Sequence, residues 1–244
     1  MIVEINRPEK MNALHPPANK ELGEVFDEFA ANPDLWVAII TGAGDRAFSA
    51  GNDLRYQAEG GERFPVPRGF GGLTSRYDLD KPVIAAVNGV AMGGGFEIAL
   101  ACDLIIAADT ARFALPEPKV GLAALAGGLH RLPRQIGLKR AMGMILTGRH
   151  VPAAEGVELG FVNEVVPQAE LMEAAKRWAG LIMECSPMSI RTSKQVAMRG
   201  LDIADYKEAF ETKFPAMGEL FKSADLIEGP RAFAEKRKPN WTGK

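Results

Sequence analysis

The 244-residue sequence predicts an α/β fold, and three observations carry that prediction. Continuous apolar runs rich in β-branched residues recur at 36–41 (WVAIIT), 82–87 (PVIAAV) and 103–108 (DLIIAA), as strands covered on both faces of a parallel sheet require. Each run gives way to glycines and then to a helix-compatible stretch, the alternation expected of an α/β chain. From about Gly127 onward the strand signal nearly vanishes and helical periodicity takes over. We therefore expect an α/β core over residues 1–185, followed by a helical region over 186–244.

In order along the chain, residues 2–5 (IVEI) read as a strand closed by Asn6-Arg7-Pro8. That strand opens so abruptly after Met1 that a preceding piece of sheet is expected. Residues 18–31 read as a helix, because Leu22, Val25, Phe26 and Phe29 fall on one face at i, i+3, i+4 and i+7. Asn32-Pro33-Asp34 stops it. Between 58 and 72, Gly and Pro accumulate around Phe64, Val66 and Phe70; a loop of that length in a compact domain is a lid, a binding loop or disordered. Downstream, 138–146, 153–159, 169–185, 188–199, 203–221 and 226–236 read as helices, and only 161–166 (FVNEVV) as a late strand.

Composition removes several function classes. Lys and Arg total 29 against 31 Asp and Glu, for a net charge of −2, so there is no basic field for nucleic acid. The longest apolar stretch, 82–104, is broken by Asn88, Glu97 and Asp103 and falls short of a bilayer span. The first residues lack a basic-then-apolar leader pattern, and Cys102 and Cys185 are too few for a disulfide framework; a cytoplasmic protein is expected. His15, His130 and His150 stand far apart, without metal-ligand spacing, so no metal is expected.

Three segments could carry chemistry: AFSAGNDL (47–54), NGVAMGGGFE (88–97) and FALPE (113–117), each just after one of the apolar runs. Gly93-Gly94-Gly95 leaves a strand and enters a helix, where bare N–H groups and the positive end of the helix dipole could hold an oxyanion. Glu97 places a carboxylate in that first turn. The plainer alternative is that the glycines serve close helix–strand packing and Glu97 is a favourable first-turn acid. Rival motifs fail. Gly89 and Gly94 have phosphate-loop spacing, but Gly95-Phe96 follows in place of Lys-Ser/Thr. Gly42-Ala43-Gly44-Asp45-Arg46-Ala47 matches a relaxed dinucleotide fingerprint, yet it opens no helix. Ser49 is not in a G-x-S-x-G elbow, since position 47 is Ala47. Glu117, between Pro116 and Pro118, becomes a second acid–base candidate only if it shares a site with Glu97. Spacing alone leaves that open.

Together the segments resemble the enoyl-CoA hydratase/isomerase, or crotonase, superfamily. The matching stretches are NRPEKMNAL (6–14), AFSAGNDL (47–54), 81–109, FALPEPKVGL (113–122), GGLHRLPRQIG (127–137), 146–167 and EGPRAFAEKRKP (228–239). Stretches 69–89 and 113–122 look most like the carnitinyl-CoA dehydratase branch. The resemblance implies a spiral of ββα units with a helical C-terminal region that drives homotrimers or hexamers. It implies an acyl-CoA substrate and no further cofactor, coenzyme A being part of the substrate. It assigns the oxyanion hole to the N–H groups of Ala50 and Gly94, water activation to Glu97 and C2 protonation to Glu117. Substrate and coenzyme A contacts are expected at Ala13, Leu14, Asn52, Asp53, Leu54, Gly93, Pro116 and Leu125, and at Phe233 and Lys236 reaching from a neighbouring subunit. For Phe233, Phe70 and Tyr77 core packing is the plainer alternative. With the dipole behind it, Glu97 is expected to stay ionised, and Glu117 to be held more protonated by an apolar wall.

The expected reaction is reversible hydration of an enoyl-CoA. Carnitinyl-CoA dehydration is the alternative; double-bond isomerisation and non-catalytic RNA or partner binding come after it. One departure bears on the alternative: Leu122-Ala123-Ala124-Leu125-Ala126 carries no acid to face a trimethylammonium group.

Overall fold

The computed structural model describes residues 1–61 and 66–244. The chain enters as β1 (Ile2–Ile5) and α1 (Pro16–Ala31), then repeats a unit of long strand, short strand and helix. The unit appears as β2 (Ala38–Gly42), β3 (Ala47–Ser49) and α2 (Leu54–Ala58), then as β4 (Val83–Val87), β5 (Val90–Met92) and α3 (Gly94–Ala101). It returns as β6 (Leu104–Ala108) and β7 (Arg112–Ala114), followed by a 3-10 turn at Glu117–Val120 and by α4 (Gly128–Ile136). Next come α5 (Leu138–Thr147), β8 (Val151–Pro152), α6 (Ala153–Leu159), β9 (Glu164–Val166) and α7 (Leu171–Met183). The chain closes with α8 (Pro187–Gly200), α9 (Tyr206–Glu211), α10 (Pro215–Leu220) and α11 (Ala224–Ala234).

The long strands form a parallel sheet in the order β1-β2-β4-β6-β9, with Ile39 opposite Ile84 and Ile84 opposite Leu104. The short strands form a second sheet, β3-β5-β7-β8, parallel except for the β7–β8 pair. Each turn of chain thus lays one strand in each sheet, the ββα spiral that the resemblance implies. Every residue of β2 and β4 is buried, which explains their unbroken apolar runs. Helix α7 packs on β2, β4 and β6, where Ala85 and Ala86 of the sheet and Ala174 and Ala175 of the helix are buried and keep the layers close.

Several expectations change. The short strands escape the sequence pattern because two or three residues cannot display a period of 2. Helix α4 forms at Gly128–Ile136, a stretch not among the expected helices. The stretch 203–221 is two helices, not one, because Pro215 has no N–H to continue a ladder and instead starts α10 at its first position. In the expected loop at 58–72, α2 reaches Ala58 and a 3-10 turn spans Phe70–Gly72; Phe64 lies outside the described residues. Among the described residues no helix is long and apolar enough to cross a membrane.

The C-terminal helices are tied to the core by polar contacts. Lys194 Nζ donates to the Lys81 carbonyl at 2.9 Å and to Asp103 Oδ2 at 2.7 Å. Gln195 Nε2 donates to Asp80 Oδ2 at 2.6 Å.

Candidate active site

The cleft is built where the short strands end. After β5, Gly93 adopts φ 53° and ψ −124° as the N-cap of α3, a conformation that favours glycine. A Cβ on Gly95 would strike the Ser49 carbonyl oxygen, so α3 can start this close to β3 only without one. Gly51, at φ 87°, brings the 50–51 turn over the same point: a Cβ there would lie 2.9 Å from the Gly94 nitrogen. The AFSAGNDL and GGGFE segments therefore meet.

Glu97, in the first turn of α3, is only 3% exposed. Its Oε1 accepts the Gly128 N–H at 2.8 Å. Glu117 opens the 3-10 turn after β7, and its Oε1 lies 2.8 Å from where a Cβ on Gly93 would be. Its Oε2 is buried with no hydrogen-bond partner among the described residues. A buried carboxylate oxygen left unpaired is costly, and it belongs to the carboxyl whose other oxygen, Oε1, faces the start of α3. Burial, and after it the Glu117 charge, pushes the Glu97 pKa up to about 7 against the pull of the Gly128 and Ala126 N–H groups and of Arg131. Burial likewise raises Glu117.

Two expectations need correction. Glu97 is not held ionised by the helix dipole, because burial outweighs it. The Ala50 N–H is not bare: it donates to the Met11 carbonyl at 2.9 Å. The Gly94 N–H has no acceptor among the described residues.

Beside this cleft, Leu14 N–H donates to the Gly51 carbonyl at 2.7 Å and Asp53 N–H to the Leu14 carbonyl at 3.0 Å, so 13–14 and 52–54 lie side by side. Ala13 and Leu14 are buried, while Asn52 and Leu54 are exposed. Asp53 caps α2 through the Tyr56 N–H and pairs with Arg7 at 3.2 Å. Burial would raise its carboxyl, but those two partners hold it below the usual range. Pro116 precedes Glu117 as its N-cap residue, and Leu125 is 81% exposed in the connection to α4.

Phe233 on α11 and Lys236 just beyond it are exposed, with no side-chain hydrogen bond or ion pair joining them to the cleft among the described residues. Core packing is wrong for Phe233, 87% exposed, and for Tyr77, 78% exposed. It holds for Phe70, which packs against the core and whose ring a Cβ on Gly94 would strike.

The sequence reading assigned no role to Gly128, Asn12 or Arg131. Gly128 and Arg131 were within reach, since GGLHRLPR opens a helix with bare N–H groups. Asn12, fully buried at φ 54°, donates to the Ala43 and Ala47 carbonyls at 3.0 and 2.7 Å and so fixes the start of β3.

A profile of the enoyl-CoA hydratase/isomerase family matches residues 1–244. A carnitinyl-CoA dehydratase of Escherichia coli (strain K12) is 46% identical over 250 residues, 99% of this chain and 94% of that one. Among solved structures, an enoyl-CoA hydratase from Mycobacterium tuberculosis has a TM-score of 0.93 at 39% identity, over 100% of this chain and 95% of that one. A carnitinyl-CoA hydratase from Mycobacterium avium gives 0.78 at 39% identity, over 100% and 95%.

Proposed function

The chain belongs to the enoyl-CoA hydratase/isomerase family and is an enzyme of the hydro-lyase type, and from that premise we propose that it adds water reversibly across the 2,3 double bond of an acyl-CoA thioester. The observation that carries the reading is that the buried Glu97 and the half-buried Glu117 carboxyls interact beside the start of α3, where the Gly94 N–H has no acceptor among the described residues. In the hydration direction Glu97 takes a proton from water as its oxygen attacks C3. Negative charge then develops on the thioester oxygen. The Gly94 N–H, at the positive end of α3, stabilises it, and one well-aimed donor of this kind is worth about 3–4 kcal/mol in the transition state. Ala50 contributes an N–H shared with the Met11 carbonyl. Glu117 protonates C2. Coenzyme A lies along 13–14 and 52–54, with Gly93, Pro116 and Leu125 nearer the acyl end. Neither metal nor a further cofactor takes part.

The subunits assemble as a homotrimer or a pair of trimers, in which Phe233 and Lys236 reach a neighbour's ligand. Leu201, Phe210, Phe221 and Phe233 support this, since they expose large apolar side chains to solvent in a lone chain.

The test is loss of enoyl-thioester absorbance from crotonyl-CoA. Glu97→Gln and Glu117→Gln should each lower turnover by on the order of 10²-fold or more; full activity in either variant removes that residue's role. A second reading, dehydration of carnitinyl-CoA, is favoured by the 46% identity to a carnitinyl-CoA dehydratase. Crotonobetainyl-CoA beside crotonyl-CoA decides between them, and the acid-free 122–126 segment predicts preference for the uncharged chain.

A further inference from the structure

Gly93 and Gly94, successive residues at the start of α3, are crowded from different sides. A Cβ on Gly93 would lie 2.8 Å from Glu117 Oε1, and one on Gly94 would strike the ring of Phe70. The start of α3 is therefore flanked by a carboxyl and by an aromatic ring. That ring has little freedom to withdraw. Phe70 N–H donates to Thr74 Oγ1 at 2.8 Å, and the Gly71 N–H donates to Oδ1 of the buried Asn19 of α1 at 2.7 Å. The Thr74 carbonyl accepts Arg131 Nη2 of α4 at 2.9 Å. Arg76, whose side chain is buried, pairs with Asp27 of α1 at 3.0 Å. A Cβ on Gly71 would strike the Ile98 side chain, so the turn sits directly on α3. Contacts from α1, α3 and α4 thus hold a half-buried ring in one place.

We propose that Phe70 is a specificity-determining residue: its ring takes the space that a substituent on C2 of the acyl chain would need, so the enzyme selects enoyl thioesters unbranched at C2. This rests on the function proposed above, with the thioester oxygen on the Gly94 N–H. The carbonyl carbon then has two neighbours along the chain. Sulfur leads out toward 13–14 and 52–54, where coenzyme A lies. C2 leads inward, between Glu117, which delivers its proton, and Phe70, which packs against the core. A methyl group on C2 has to displace a ring whose backbone is tied on both sides, and overpacking of that kind is penalised. The fit of one such group in an apolar pocket is worth about 10–200-fold in selectivity.

The test measures kcat/KM for crotonyl-CoA and 2-methylcrotonyl-CoA in wild type, Phe70→Ala and Phe70→Leu. Comparing the branched-to-unbranched ratio between proteins cancels the different intrinsic reactivity of the two thioesters. Phe70→Ala should raise that ratio by about tenfold or more, and Phe70→Leu by less. Asn19→Ala, which loosens the turn and keeps the ring, should move it in the same direction. A ratio that stays or falls in Phe70→Ala overturns the proposal; if that variant does not fold, Phe70→Leu decides on the same criterion. Binding separates this selectivity from the reaction. Calorimetric Kd values for butyryl-CoA and 2-methylbutyryl-CoA, which have no double bond to hydrate, should shift in favour of the branched ligand in Phe70→Ala. That shift in a protein inert toward every enoyl-CoA would remove the function proposed above and keep the wall. Hydration of crotonyl-CoA with an unmoved ratio would do the reverse.

Discussion

At Glu97 two elementary effects oppose each other, and their sizes decide the outcome. A helix start favours a carboxylate by about 0.3–1 kcal/mol, or ~2 in partly buried settings. Moving its pKa from 4.5 to about 7 corresponds to a cost of ionisation on the order of 3 kcal/mol. Burial wins. Since the folded pKa is raised, the group's contribution to stability is complete below pH ~4.5 and is lost as pH rises through about 7. For the reaction the sign is opposite, because the base must be ionised: kcat/KM for hydration should climb as pH rises through about 7. Glu117→Gln removes a charge that raises Glu97, so the limb of its residual activity should move to lower pH, measured by a pH series on the variant. A limb that stays in place would mean the carboxyls do not interact. The sequence gives away Glu97 and Glu117 as residue types, and the resemblance pairs them. It hides Gly128, whose part is played by an N–H that every residue but proline owns.

At the scale of elements, the long strands were legible because full burial makes five-residue apolar runs. The second sheet was not, because its strands are too short to carry a period and owe their place to side chains such as Asn12 elsewhere in the chain. Contact between α3 and β3 is a stringent joint. Gly95→Ala would force a Cβ onto the Ser49 carbonyl, with Ser49 Cβ another 2.9 Å away, and neither strand nor helix can retreat cheaply. Urea denaturation should show a loss of about 1–3 kcal/mol or more. Gly143→Ala in α5 meets nothing within 4 Å and should gain about 0.5–1 kcal/mol. Equal midpoints for the two variants would show that the joint is looser than its geometry.

Across the whole molecule, the helical tail was expected from periodicity, but its fastening was invisible, since it joins residues about a hundred positions apart. Asp103 Oδ2 accepts both the Val83 N–H at 2.8 Å and the Lys194 ammonium. Asp80 meets Gln195, whose own Oε1 accepts the Ala216 N–H at 2.9 Å. Detaching α8 would strand these groups in partly buried surroundings, a penalty of about 1–3 kcal/mol for each orphaned partner. Heat should therefore melt tail and sheet together: calorimetry should record one endotherm whose van't Hoff and measured enthalpies agree when analysed per cooperative unit, and an early, separate peak for 186–244 would contradict it. A protease that nicks the chain near residue 186 would leave two fragments that migrate as one particle until denaturant parts them.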